Sequence, residues 1–266
     1  MTIVNAFFKV FCNRSIRLVG NLVKVASYPF HFFLPRVRFT IPVYSAAKIR
    51  SRPESKVPSV IWQTNYSNRS ALPVYVNYLF NRLLSLDYEY RYVSTEDREI
   101  FMREHAPKDV YLAYLKLNDG AAQADLWRVT CLYINGGIYM DIDASLVWPL
   151  RFLVKKDVEV LYIKFKKDDK EFTNYFLATA PGNSDYKSII DKIVYNIDHH
   201  DALERKGVYH TTGPSVFNEV LEGKVVNSAK RGHVCIQGAF TNEYFQYLDK
   251  PRGKWTHLSD DEVIKK

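Results

Sequence analysis

The sequence has little of what usually assigns a class at a glance. Cysteine is scarce: Cys12, Cys131 and Cys235 are odd in number and far apart, so neither a disulfide framework nor a zinc spacing can be drawn from them. A reducing compartment is the expectation that follows. Internal repeats and low-complexity tracts are missing, which excludes solenoids and compositionally disordered chains. Long apolar runs are missing near the N-terminus, where the longest stretch free of Lys and Arg runs from Val25 to Pro35. That is too short to cross a bilayer. Lys9, Arg14 and Arg17 likewise interrupt the single apolar core that a secretory signal needs. Acid is nearly absent from the same end. Residues 1–56 hold ten Lys/Arg and one acid, Glu54, a balance of +9 within a whole-chain charge of +8, so the body sums to −1. A nucleic-acid binder would spread basic residues over its body, and that class is set aside.

What is present makes a sizeable globular core: 266 residues, 47% hydrophobic, 15% aromatic and 25% charged. Between Ile3 and Ala26 the polar residues Lys9, Asn13, Arg17, Asn21 and Lys24 recur at steps of four, four, four and three, one narrow stripe of a helix. Phe, Leu, Val and Ile fill the rest, and a proline-broken aromatic run follows at Tyr28–Pro35. Residues 1–40 thus read as an interfacial amphipathic helix with snorkelling cations, bound to an anionic membrane surface. The plainer alternative is a helix packed on the body through its wide apolar face. On the membrane reading, removing residues 1–40 leaves the body's chemistry intact. Arg50–Pro58 reads as a linker. The division expected is a basic membrane-associating segment over 1–56 and a single domain over 57–266.

Past the linker, strand and helix patterns alternate. Val60–Thr64 and Tyr88–Val93 read as strands, Pro73–Leu86 as a helix, and Ser94-Thr-Glu-Asp97 as a helix start. A helix over Ala121–Ile134 stops at Gly136-Gly137, and Ile138–Ala144 continues as a strand. Strands follow at Val158–Phe165 and Phe172–Thr179 around a charged hairpin, then a helix over Asp185–Ile197. The expected class is α/β, a mainly parallel sheet flanked by helices, with the N-terminal amphipathic helix as an extension.

The stretch with chemistry in it is Asp119–Ser145, DGAAQADLWRVTCLYINGGIYMDIDAS. Residues two apart share a face of a strand, so Asp141 and Asp143 are expected to project together where the strand runs out. Two adjacent carboxylates repel unless a cation joins them, and Mg²⁺ or Mn²⁺ commonly takes such a pair together with substrate phosphate oxygens. Open α/β sheets bind ligands beyond the carboxyl ends of their strands, where this pair falls. On the preceding helix Asp125 and Arg128 are three apart and share a face. Each piece alone has an ordinary explanation: a solvated turn, an intrahelical ion pair, a helix stop. Their joint spacing is far rarer.

That spacing, D-x-x-R-x-x-x-L-x-x-x-G-G-x-Y-x-D-x-D at Asp125, Arg128, Leu132, Gly136, Gly137, Tyr139, Asp141 and Asp143, resembles glycosyltransferase family 32, whose sugar-binding region contains a D-x-D motif. The large clostridial glucosylating toxins are more distant relatives. Pro58-Ser-Val-Ile-Trp-Gln-Thr64 is similar to the family's first strand, Asn174 lies in a segment like its Asn-containing strand, and Thr211-Thr-Gly-Pro214 resembles its T-G-P segment. The resemblance covers roughly residues 58–216. It implies a GT-A fold, a nucleotide-sugar donor (a UDP-sugar favoured, GDP-mannose the other candidate), Mn²⁺ or Mg²⁺, and retention of anomeric configuration. Carried over, Asp143 is the main metal ligand, and Asp141 contacts the metal and the ribose. Asp125 and Arg128 hold donor-sugar hydroxyls. Trp62, Gln63, Thr64, Gly137, Tyr139, Asn174 and Trp255 line the donor, and Thr212, Gly213 and Pro214 the acceptor. In Lys254-Trp-Thr-His-Leu258, which departs from the family's usual closing segment, His257 is the candidate third metal ligand.

The function expected is transfer of a sugar from a nucleotide-sugar to a glycan acceptor, lipid-linked, in the assembly of surface polysaccharide or lipopolysaccharide. The expected location is the cytoplasmic face of a bacterial inner membrane, with a Golgi lumen as the alternative. Two rivals are a phosphatase of the haloacid-dehalogenase type, with Asp141 as nucleophile, and a membrane-surface adaptor without turnover. The first lacks the later Gly-Asp-x-x-x-Asp loop.

Overall fold

The computed structural model describes residues 3–51, 54–165, 171–250, 256 and 259–265. Helix α1 (Ile3–Phe33) opens the chain and continues past the expected Ala26 through Pro29. Short strands β1 (Phe39–Thr40) and β2 (Tyr44–Ser45) lead to β3 (Val60–Thr64). Strand β4 (Arg69–Ser70) pairs with β1 and feeds α2 (Leu72–Leu83), which carries Pro73 in its first turn. After β5 (Glu89–Val93), α3 (Thr95–His105) starts in a capping box built by Ser94 and Asp97. Next come α4 (Lys108–Lys116) and α5 (Gly120–Asn135). Strands β6 (Gly137–Met140) and β7 (Ala144–Leu146) flank the paired aspartates, and α6 (Leu150–Leu153) reverses the chain. Strands β8 (Val160–Lys164) and β9 (Phe172–Thr179) precede α7 (Ser184–Asp198). The chain then forms α8 (Val208–Thr211), α9 (Pro214–Leu221), β10 (Ser228–Lys230), β11 (Cys235–Gln237) and α10 (Glu243–Gln246).

Seven strands make the central sheet in the order β10-β8-β9-β6-β3-β5-β2. β10, β8, β6, β3 and β5 run one way, and β9 and β2 the other. The class is therefore α/β with a mainly parallel sheet, as expected. Alternation along β6 divides the core: Tyr139 packs with Trp127 and Leu132 of α5 on one face, while Ile138 and Met140 pack with Tyr90 and Phe176 on the other. Fully burying a side chain such as Leu132 contributes about 1.5–3 kcal/mol. α5 is lined with such residues, which locks it against the sheet.

The strand expected over Ile138–Ala144 breaks in two. Asp141 still gives its amide to Tyr175 of β9 at 2.9 Å, but the chain then turns, with the Ala144 amide on the Asp141 carbonyl at 3.0 Å. β7 leaves the central sheet and pairs with β11. The two aspartates therefore stand in a turn beyond the end of β6, not on a strand face.

Helix α1 docks on the body by a mixed side and not by the wide apolar face that the plainer reading anticipated. Part of its polar stripe faces inward, while Arg17 and Asn21 stay exposed: Asn13 Nδ2 donates to the Gly232 carbonyl at 2.8 Å, and Lys24 Nζ to the Gly238 carbonyl at 3.1 Å. These carbonyls need donors, and the stripe supplies them. Ile16, Cys12 and Val23 join Ile236, Ala239 and Phe240 in a small cluster. Contact is tightest at Gly20, where a Cβ would lie 2.2 Å from the Ala239 carbonyl oxygen. Near the end of α1, Tyr28 packs on Phe245 with ring centroids 4.7 Å apart and accepts from Asn242 Nδ2 at 2.9 Å. Beyond it, Arg38 forms a two-pronged pair with Asp249 at 2.6 and 2.7 Å. The outward side is rich in apolar residues, with Arg14 and Asn21 exposed beside them: Leu18, Leu22, Val25, Phe32 and Phe33 are 63–78% exposed. No described helix is long and apolar enough to cross a membrane.

Candidate active site

The turn Asp141–Asp143 is held by side chains from two elements and by one backbone amide. Two asparagines four apart on α2 are fully turned inward: Asn77 Nδ2 donates to the carbonyls of Ile142 and Ala144 at 2.9 Å each, and Asn81 Nδ2 to Ala144 at 2.7 Å. From β3, Gln63 Nε2 donates to the Asp141 carbonyl at 3.1 Å while its Oε1 accepts from Tyr90 at 2.9 Å. The Gly238 amide, just past β11, donates to the Asp143 carbonyl at 3.0 Å. With every one of these carbonyls satisfied, the turn is preorganised.

Helix α5 brings the second pair. Asp119 caps it by accepting from the amides of Ala121 and Ala122 at 2.8 and 3.0 Å. Its far end reverses at Gly136 and Gly137, whose φ values are +65° and +101°. A Cβ on Gly136 would meet Pro181 at 2.7 Å, and one on Gly137 would meet Val60 at 2.6 Å. The diglycine thus serves a crowded helix-to-strand reversal and does not reach the cleft.

Asp125 and Arg128 are both buried and paired at 3.0 Å. Asp125 also accepts from Asn174 Nδ2 and Thr212 Oγ1, each at 3.0 Å. Arg128 donates to the Asn174 carbonyl at 2.9 Å, reaches Asp141 Oδ1 at 3.3 Å and lies 4.3 Å above the Tyr139 ring. Tyr139 donates to the same Asp141 oxygen at 2.7 Å. Burial pushes the Asp125 carboxyl up to about 7; Arg128 opposes the shift, and the charge of Asp141 adds to it. Arg128 is held charged: burial alone would favour its neutral form, but Tyr139, Asp125 and Asp141 outweigh it. Asp143 is pushed up to about 7 by burial and then by Asp141.

These groups open on a cavity of about 610 Å³ at the carboxyl end of the parallel strands. Of the residues singled out from sequence, Thr64, Asp125, Arg128, Tyr139, Asp141, Asp143, Asn174, Gly213 and Pro214 line it. Gln63 and Thr212 stand one layer behind, holding Asp141 and Asp125. Trp62 does not reach it. Its indole donates to the Gly136 carbonyl at 3.1 Å, at the opposite end of β6, because β3 pairs Trp62 with Tyr139 and turns it down the sheet. Gly137 is also outside the lining, and Trp255 and His257 lie outside the described residues.

The sequence reading missed one whole wall. Gln237, Gly238, Thr241, Asn242, Gln246, Tyr247 and Lys250 close the cavity on the side that α1 backs. It also missed Arg98, buried at the cavity, whose Nη1 donates to the Gly120 carbonyl at 3.0 Å while its Nε has no partner. Asn77 and Asn81 had a signal, two amides at helical spacing in a helix whose other residues, Arg82 apart, are apolar or aromatic. Gln237 had none.

Comparison with known proteins bears on the same stretch. Residues 73–163, about a third of the chain and the part that holds α2, α5 and both aspartates, match the family described as "Glycosyltransferase sugar-binding region containing DXD motif". This stretch is similar to a glycosyltransferase sugar-binding region. A nucleotide-sugar donor, a glycan acceptor and a divalent ion are what such a region implies in general. Within it the D-x-D is Asp141-Ile142-Asp143. A solved structure titled "PaToxG Glycosyltransferase" is similar at 15% identity and a TM-score of 0.49, over 80% of this chain and 78% of that one. No curated protein sequence matches the chain.

Proposed function

We propose that the protein is a metal-dependent, retaining glycosyltransferase that moves a sugar from a nucleotide-sugar, a UDP-sugar in the first instance, to a lipid-linked glycan at a membrane surface. One observation carries the reading. Asp141 Oδ2 and Asp143 Oδ1 converge on a single point, occupied by the Gln237 amide nitrogen at 3.2 and 3.3 Å, directly beside the buried Asp125–Arg128 pair. Two carboxylate oxygens reaching one small donor is a donor set that suits Mn²⁺ or Mg²⁺. A divalent ion there supplies Lewis-acid neutralisation of the charge left on the departing diphosphate.

The chain's own groups have distinct tasks. Tyr139 and Arg128 both bind Asp141 Oδ1, which leaves Oδ2 directed at the convergence point. Asp125, held by Asn174 and Thr212, offers a fixed acceptor for a sugar hydroxyl, and Arg128 a fixed donor beside it. A carboxylate placed for covalent double displacement is not among these tasks, since Asp125 is tied up by Arg128, Asn174 and Thr212. The acceptor hydroxyl then attacks from the face the diphosphate leaves, and its proton passes to a departing phosphate oxygen.

The outward side of α1 supports the membrane part. Leu18, Leu22, Val25, Phe32 and Phe33 form an unpartnered apolar strip on a segment of +9 charge. Such a helix lies in the headgroup boundary, and each cation near an anionic leaflet adds about 1 kcal/mol. Assembly of surface polysaccharide or lipopolysaccharide on the cytoplasmic face of a bacterial inner membrane is the setting that joins these features.

The test is a thermal-shift screen of nucleotide-sugars with and without Mn²⁺, on the full chain and on Asp143→Asn. A matching donor at 100 times its dissociation constant should stabilise by about 2.7 kcal/mol, only with Mn²⁺ and only in the unmutated protein. Equal stabilisation of Asp143→Asn would overturn the metal reading.

A further inference from the structure

Gln237 is held with more care than an exposed cleft residue requires. It ends β11, opposite Ala144 of β7 in register, so its Cα stands one step from the aspartate turn. The next residue is pinned twice: the Gly238 amide donates to the Asp143 carbonyl at 3.0 Å, and its carbonyl accepts from Lys24 of α1 at 3.1 Å. From this anchored backbone the side-chain amide reaches both aspartates at once, Nε2 lying 3.2 Å from Asp141 Oδ2 and 3.3 Å from Asp143 Oδ1.

An amide has two chemically opposite ends related by a half-turn. Facing two carboxylates with nothing between them, it must present its NH₂ group, the only end that donates. Facing a cation in the same place, it must present its oxygen. The spacing fits the second arrangement as well as the first. Oxygens around a hard ion at about 2.1 Å in an octahedron are about 3.0 Å from one another along each edge. The observed 3.2 and 3.3 Å match two such edges. Among the described residues no group of three acids, histidines or cysteines surrounds any point, so among them a third side-chain oxygen beside the aspartates comes from a neutral residue. Gln237 is bonded to both aspartates.

We propose that Gln237 is the third protein ligand of the divalent ion, its amide turning over to give Oε1 when the ion enters and capping the two carboxylates with Nε2 when it leaves. This rests on the metal reading of Asp141 and Asp143. It places the third ligand on β11, in the wall that α1 backs, whereas the sequence pointed to His257, which lies outside the described residues. With Nε2 turned inward, both carboxylates share one donor.

The test is direct titration of the full chain with Mn²⁺, followed by the electron paramagnetic resonance signal of the free ion, with no nucleotide present. Gln237→Ala is expected to weaken binding tenfold or more, on the scale of roughly 10–100-fold by which even supporting residues around metal sites act. Gln237→Glu, which keeps an oxygen in place and adds charge, should bind at least as tightly as the unmutated protein. Circular dichroism melts of both variants establish that the fold is kept. If Gln237→Ala binds as well as or better than the unmutated chain while Asp143→Asn loses binding, Gln237 is only a cap that competes with the ion and the proposal falls alone. If Asp143→Asn also binds unchanged, the metal reading falls with it.

Discussion

Arg128 carries the charge balance of the cleft. Among the described residues it is the guanidinium that pairs with both Asp125 and Asp141, and it lies over Tyr139, which grips Asp141 as well. Removing one partner of a buried pair leaves the other desolvated and unpaired, a loss of about 3–5 kcal/mol. Arg128→Ala is therefore expected to lower stability by that order in urea denaturation. Asp143→Asn should stay within about 0.5 kcal/mol or gain, because it relieves repulsion at a half-buried site. Loss of activity in the first variant is thus partly loss of structure, and in the second it is chemistry. Asp125, Arg128, Asp141 and Asp143 were legible in the sequence because local spacing on one helix–turn–strand frame brings them together. Gln237 was not, since 94 residues separate it from Asp143 and only the pairing of β11 with β7 joins them.

At the scale of elements, one boundary and one docking side differ from expectation for physical reasons. The strand after the diglycine ends at Met140, because Asn77, Asn81 and Gln63 offer the next carbonyls better partners than a neighbouring strand does. Helix α1 docks through Asn13 and Lys24 of its predicted stripe together with Ile16, because the body presents carbonyls at Gly232 and Gly238 and apolar side chains beside them. Hydrophobic periodicity reports which side of a helix is apolar; it is silent on whether that side meets protein or lipid. The two sides of α1 should respond oppositely to substitution. Leu18→Glu with Leu22→Glu, on the exposed side, should leave the thermal midpoint unchanged and abolish pelleting with anionic vesicles. Gly20→Val should lower the midpoint, because its Cβ overlaps the Ala239 carbonyl. Vesicle binding unchanged by the two introduced glutamates would remove α1 from the membrane.

Over the whole molecule, the split of charge between residues 1–56 and the rest suggested a detachable segment on an independent body. The contacts argue otherwise. Tyr28 on Phe245, Arg38 on Asp249 and Lys24 on Gly238 all brace the 237–250 wall from behind, while its inner side lines the cavity. Deleting residues 1–40 should therefore cost donor turnover in solution as well as membrane binding, in contrast to the expectation from sequence. Hydrolysis of the donor by the truncated chain at the unmutated rate would restore the view of a separable anchor. Composition shows where charge lies along a chain but not which surface it closes.

The scarcity of cysteine turns out to be convenient. Burial pushes the Cys131 thiol up to about 12 and holds the buried Cys235 thiol well above its ordinary value, so neither offers a thiolate to a reagent. Cys12 is the one partly exposed thiol, and it stands on α1 where that helix meets the body. Its labelling rate in the native protein is therefore a stopwatch for lifting of α1 from the wall it supports, readable without introducing a single foreign residue.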